Sequence, residues 1–150
     1  MVLVIIISKQ INLMENKIYQ QKEYARAKKN LYKKERTAFG SADKLAEWFV
    51  GKLKSQQFSC YYCETSIFDI SKLINAGYLK TRAVRGGGCR GPVLEIDKNS
   101  KSYIPESCVL SCYYCNNDKS YTSTMKEYKQ HFGENRNKYF KVLLSKLDNK

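Results

Sequence analysis

The sequence predicts an α+β fold: a small strand–strand–helix core with a four-cysteine zinc site and flanking helices. Three observations lead there. The letters SCYYC occur twice, at residues 59–63 and 111–115. Ahead of the second copy, PVLEID (92–97) and YIPESCVLSC (103–112) read as strands. The flanks instead place apolar residues at helical spacing.

Residues 1–7, MVLVIII, are apolar but too few to span a bilayer. They read either as a buried strand or as a run ahead of a true start at Met14. No basic n-region or small-residue cleavage site accompanies them, so no secretory signal is expected. Residues 14–36 predict a very basic helix with a thin apolar stripe of Tyr24, Leu31 and Tyr32. Gly40 ends it. Ser41 then caps a second helix, whose Leu45, Trp48, Phe49 and Leu53 make a core face.

A short helix is expected over 67–79, with Ile70, Leu73 and Ile74 inward. KTRAVRGGGCRG (80–91) reads as a mobile loop, because three consecutive glycines suit neither a helix nor a central strand. In PVLEID, Val93, Glu95 and Asp97 share one face and Leu94 and Ile96 the other. KNSKS is a turn-rich connector. NNDKS is expected to open a helix. Thr124 and Glu127 form a capping box for the next one, which runs to about His131. Gly133 is expected to stop it, before a last helix that buries Phe140, Leu143, Leu144 and Leu147. The organisation is then an N-terminal extension over 1–57, a zinc-bearing domain over 58–133 and a C-terminal helix over 134–150 that packs on it.

Lys and Arg number 27 against 14 Asp and Glu, a net charge of +13. The ordinary apolar content excludes a disordered tail. The excess charge points to a polyanion, most simply DNA. A membrane surface is not expected, because the most basic stretch lacks a clean apolar face. Lys28, Lys29, Lys33 and Lys34 on the first helix, with Arg82, Arg85 and Arg90 in the glycine loop, are the candidate phosphate contacts. Neither segment offers an obvious base-reading element. With no credible signal, the compartment is expected to be cytoplasmic and reducing. There, paired Cys-x-x-Cys motifs read as metal ligands before disulfides.

Cys60, Cys63, Cys112 and Cys115 supply four thiolates, and the two-residue gaps let each pair turn both sulfurs toward one ion. A closed four-Cys site leaves no position for a substrate. The zinc is therefore expected to be structural, stapling two distant segments and contributing folding free energy. A redox dithiol or unliganded buried thiols are the alternatives. The tyrosines inside each pair read as packing, Cys108 as core, and Cys89 has no assigned role.

The order strand, turn, strand, then CxxC-N-x-x-K opening a helix carries a more specific signal. From Cys60 to about Gly133, roughly half the chain, the text CYYC followed by LEIDKNSKSYIPESCVLSCYYCNNDKS resembles the HNH endonuclease family. It is most similar to the zinc-stapled ββα-metal members common in phage genomes, with their treble-clef-like core. The resemblance implies a metal-dependent DNA endonuclease, in the host cytoplasm if phage-encoded. It implies Asp97 and Asn116 as ligands of a catalytic Mg2+ or Mn2+, and Lys119 as a phosphate contact.

Two positions depart from the family. Lys98 stands where the general-base histidine belongs, and Ser107 where a bracing asparagine belongs. A lysine with a pKa near ~10.4 is a poor base at neutral pH, although it can stabilise charge on a phosphate. Tyr103 and Glu95 are the other candidates to take a proton, and His131, the only histidine, lies outside the motif. These departures keep a second reading open: a non-catalytic nucleic-acid-binding zinc protein. A redox or metal-storage protein is disfavoured by the charge. The sequence is silent on oligomeric state.

Overall fold

No glycine or proline interrupts the chain before Gly40, and a single helix, α1, runs over Val2–Asn30. The structure is a computed structural model that describes residues 2–85, 88–99 and 101–149, with side chains from Ile5 onward. The apolar start is therefore helical and not a strand. No helix among the described residues is long and apolar enough to cross a membrane. The chain divides into two compact units, Met1–Gly51 and Lys52–Lys150.

In the first unit, α1 is followed by a 3-10 turn over Lys34–Phe39, so Lys33 and Lys34 lie beyond the helix. Gly40 closes the turn at φ 85°, a left-handed value that glycine adopts without steric cost. Helix α2, Ala42–Ser55, follows, with Ser41 Oγ accepting from Lys44 N at 3.2 Å. Asp43 ties α1 to the first turn of α2, accepting from Tyr24 Oη at 3.1 Å and lying 2.6 Å from Lys28 Nζ.

The second unit holds the zinc-type cysteines. Helix α3, Ile67–Asn75, starts at Ser66, whose hydroxyl accepts from Asp69 N, and it buries Ile67, Ile70 and Leu73. The segment expected as a mobile loop is a paired hairpin, β1 (Arg82–Val84) against β2 (Gly88–Arg90), antiparallel with Ala83 opposite Cys89. Of the three consecutive glycines, Gly88 opens β2. Gly86 and Gly87 lie outside the described residues, as does Ser100 in the connector.

Strand β3, Leu94–Lys98, pairs antiparallel with β4, Cys108–Cys112, placing Glu95 opposite Ser111 and Asp97 opposite Val109. The second strand is shorter than expected. Pro105 lacks the N–H a ladder needs, and Pro105–Ser107 form a 3-10 turn ahead of β4. Helix α4, Tyr113–Lys119, leaves β4 directly, one turn earlier than the expected start at NNDKS. The result is a β-β-α unit. Leu94, Leu110 and Cys108 are buried with Leu73 and Phe140 in the core.

The Thr124–Glu127 capping box forms as expected and opens α5, Met125–Tyr128. Gly133, however, does not stop the helix. A π-helical turn over Lys129–Gly133 runs straight into α6, Glu134–Asp148, and Gly133 keeps helical angles of −58° and −47°. A Cβ on Gly133 would lie 2.4 Å from the Tyr62 carbonyl oxygen. The glycine is there for close approach and not for termination. Helix α6 buries Phe140 and Leu143, while Leu144 and Leu147 are half-buried.

Candidate functional site

The first cysteine pair sits on a tight knuckle. Cys60 N donates to Thr65 O, Glu64 N to Cys60 O, and Glu64 turns the chain at φ 57°. Asn137 on α6 donates to Cys63 O at 2.6 Å, and Lys129 to Tyr61 O at 2.7 Å. Gln56 clamps the knuckle to β4, donating to Leu110 O and accepting from Leu110 N. The second pair sits at the junction of β4 and α4, where Cys112 caps the helix by accepting from Cys115 N.

These elements bring Cys60, Cys63, Cys112 and Cys115 together, all buried, with every sulfur within 4.8 Å of the others. Four sulfurs around a tetrahedral zinc at ~2.3 Å lie roughly 3.8 Å apart, so the donor set and its spacing fit zinc. Hydrogen bonds from Cys112, Cys115 and Cys60 hold the Cys63 thiol far below its ordinary range. Bonds to Cys115, Cys60 and Cys63 push Cys112 up. Four sulfurs this close cannot ionise together without a cation, and a bound zinc would supply one. Of the two remaining cysteines, Cys108 is fully buried core and Cys89 is exposed on β2.

Beside the zinc-type centre, the face of β3 under α4 carries two acids. Glu95 and Asp97 are two residues apart and so point the same way. Asn116 and Lys119 are three apart on α4 and so share one face. They meet in pairs. Asn116 Nδ2 donates to Glu95 Oε2 at 2.8 Å, and Lys119 Nζ lies 3.4 Å from Asp97 Oδ1. Arg90 completes the first pair, reaching Glu95 through Nε at 2.7 Å and Nη2 at 2.5 Å, with its guanidinium over the Tyr113 ring. Tyr62 completes the second, donating to Asp97 Oδ2 at 2.5 Å. Burial and this bond hold the Tyr62 phenol well above its ordinary range.

Asp97, Asn116 and Lys119 line one cleft of about 810 Å³ with Lys98, Lys101 and Tyr103. Lys98 Nζ donates to Lys101 O at 2.9 Å and sits 4.8 Å from the centre of the Tyr103 ring. Neither Lys98 nor Lys101 is ion-paired among the described residues. Lys119, expected as a phosphate contact, lines the cleft with its ammonium drawn inward. It is only 4% exposed, and a buried ammonium requires a counter-charge, which Asp97 provides. Arg90 is likewise committed to Glu95.

Oxygen donors such as Asp97 and the Asn116 amide suit Mg2+ or Mn2+ in type. Their arrangement does not suit a resident ion. Both Asp97 oxygens are engaged, by Tyr62 and Lys119. Among the described residues, the four cysteines are the only group of three or more His, Cys, Asp or Glu placed to hold a metal.

The other candidates are dispersed. Ser107 Oγ bonds to Ile104 O within its turn, and His131 is exposed on the π-helical turn. Arg82 and Arg85 are exposed at the hairpin. In the first unit Lys29, Lys33 and Lys34 are exposed, while Lys28 is paired with Asp43. Sequence reasoning missed the role of Tyr62, which it took for packing. Its signal was its place between two cysteines of a knuckle, where the backbone is held on both sides. No family model, curated protein or solved structure matches this chain.

Proposed function

We propose that this chain is a nucleic-acid-binding zinc protein of the HNH type, whose zinc-stapled β-β-α unit offers the cleft above α4 to a phosphodiester backbone. The observation that carries this is the cleft itself. Lys98 and Lys101 line it without carboxylate partners, while the acids beneath, Glu95 and Asp97, are neutralised by Arg90 and Lys119. A third acid of the cleft, Glu127, is bonded only to Thr124 at the α5 cap, so two unpaired lysines face one unpaired carboxylate and the cleft keeps an excess of positive charge, on a chain carrying +13. Lysine ammonium groups in that setting attract phosphate and release counterions on binding.

Fluorescence anisotropy with labelled oligonucleotides across a salt series tests this. Binding should weaken steeply with salt. The double variant Lys98→Ala/Lys101→Ala should reduce the slope of log affinity against log salt by about 2, one for each phosphate contact removed. Absence of binding at low salt would overturn the proposal.

A second reading, a metal-dependent DNA endonuclease, is favoured by the position of Asp97 near the end of β3, in the same cleft as Asn116 and Lys119 on α4. Against it stand the Lys119 ammonium on Asp97 and Lys98 in place of a base. A plasmid-nicking assay in Mg2+ or Mn2+ against EDTA separates the two. Nicking that disappears in Asp97→Asn, assayed at a temperature where circular dichroism shows the variant still folded, selects the enzyme. Salt-sensitive binding with no nicking in either metal selects the binder.

A further inference from the structure

One wall of the cleft takes no part in the pairing of acids and bases. It is the turn from Ser120 to Thr124 that joins α4 to α5, and Tyr121 stands on it. Tyr121 is 94% exposed, against 67% for the next most exposed large apolar side chain, Leu13. It has no hydrogen-bond or ring partner among the described residues.

The turn holds the ring out instead of letting it fold back. Ser120 adopts φ 45° and ψ −125°, a conformation that residues with side chains rarely take. Thr122 secures it by donating from both N and Oγ1 to Lys119 O, at 3.1 and 2.9 Å. Lys119 Nζ reaches back to Ser120 O at 3.2 Å. Two residues further on, Thr124 is locked into α5 by its reciprocal bonds with Glu127. The turn is thus ordered at both ends, and the buried Lys119–Asp97 pair anchors it to β3.

An aromatic face held out in a polar, cationic cleft matches one chemistry well: a nucleobase stacked on the ring while its phosphates meet ammonium groups. In a duplex each base face is covered by its neighbours. An unpaired base offers its face. We propose that Tyr121 is a base-stacking platform and that the cleft takes single-stranded nucleic acid in preference to duplex, an inference that rests on the nucleic-acid reading above.

The test compares wild type, Tyr121→Ala and Tyr121→Phe, each at full zinc content and equal melting temperature. They are titrated into a labelled oligothymidine and a labelled duplex of the same length at one salt concentration. Wild type should bind the single strand more tightly. Tyr121→Ala should lose about tenfold in single-strand affinity, the size expected of one stacked base, with duplex affinity and salt slope unchanged. Tyr121→Phe should keep wild-type affinity, because the ring does the stacking. A 2-aminopurine base in the strand should change fluorescence on binding wild type and not Tyr121→Ala. Equal or tighter duplex binding, or an unaffected Tyr121→Ala, overturns this inference and leaves the binding reading standing. Binding of neither form overturns both.

Discussion

Tyr62 lies between the cysteines of the first pair, yet its phenol donates to Asp97 Oδ2 at 2.5 Å, linking the cysteine knuckle to the acid of the cleft. Tyr62 is 2% exposed, and its ring packs edge-on against Tyr61 and Tyr128. Tyr62→Phe keeps the ring and removes only the donor. It leaves one oxygen of a buried carboxylate unmatched, which costs about 1–3 kcal/mol. Chemical denaturation should register that loss while zinc content stays at the wild-type value. An unchanged midpoint would mean that water serves Asp97 as well as Tyr62 does.

Asp97 and Lys119 form a pair whose side chains are only 6% and 5% exposed. Removing one partner strands the other charge, so Asp97→Asn or Lys119→Met should each destabilise by about 3–5 kcal/mol. The double variant strands neither charge. Its loss should fall short of the sum of the singles by more than about 1 kcal/mol, the signature of a coupled pair in a double-mutant cycle. Additive losses would place solvent between the two groups.

The parts of the site legible in the sequence are those set by local spacing. The cysteine gaps announced the cluster of four sulfurs, and the alternation of LEID placed Glu95 and Asp97 on one face. Partner choice was not legible. That Asn116 would turn to Glu95, and Lys119 to Asp97, depends on where α4 leaves β4, and the helix begins one turn earlier than NNDKS suggests. Gly133 misled for a related reason. Glycine marks both helix ends and points where two backbones nearly touch, and only the knuckle packed against α6 distinguishes the two. Tyr121 was invisible because exposure belongs to the folded chain.

Gly133 yields a prediction in which two effects compete. Alanine favours a helix over glycine by about 1 kcal/mol. At this position, however, the new Cβ would sit 2.4 Å from Tyr62 O and 3.0 Å from its carbonyl carbon. Backbone cannot swing aside as a flexible side chain can, and overpacking of this kind costs about 1–3 kcal/mol. Gly133→Ala should therefore lower the melting temperature. A rise would show that α6 can shift away from the knuckle freely.

High pH should act through the buried phenols. Burial, then the bond to Asp97, holds Tyr62 far above its ordinary value, and burial with Asp118 does the same for Tyr128. Burial pushes Tyr114 up to about 12. The folded values lie above the unfolded one, so the contribution is fully present below about pH 10 and is lost as pH rises through the folded values. Ultraviolet titration of the tyrosines should show these three and Tyr19, which burial also raises, lagging behind the exposed ones, with unfolding accompanying their ionisation. If all the tyrosines ionise together near pH 10 in a protein that stays folded, the phenols are more accessible than this packing allows.

Zinc removal is the most searching test of the scaffold, because the four sulfurs bring the knuckle, β4 and α4 together at one point. Metal analysis should find one zinc per chain. Stripping it with a strong chelator, or replacing one ligand in Cys112→Ser, should abolish the near-ultraviolet dichroism of the Lys52–Lys150 unit, since the binding free energy of a closed cysteine site is folding free energy. Cys89→Ser should leave both zinc and dichroism intact, because that thiol is exposed on the hairpin. Acid should release the metal as the thiolates protonate, and restored neutral pH with added zinc should bring the signal back. The opposite result, a metal-free chain with unchanged dichroism, would mean that the apolar core around Leu73, Leu110 and Phe140 holds the β-β-α unit unaided. The paired cysteines would then need another explanation.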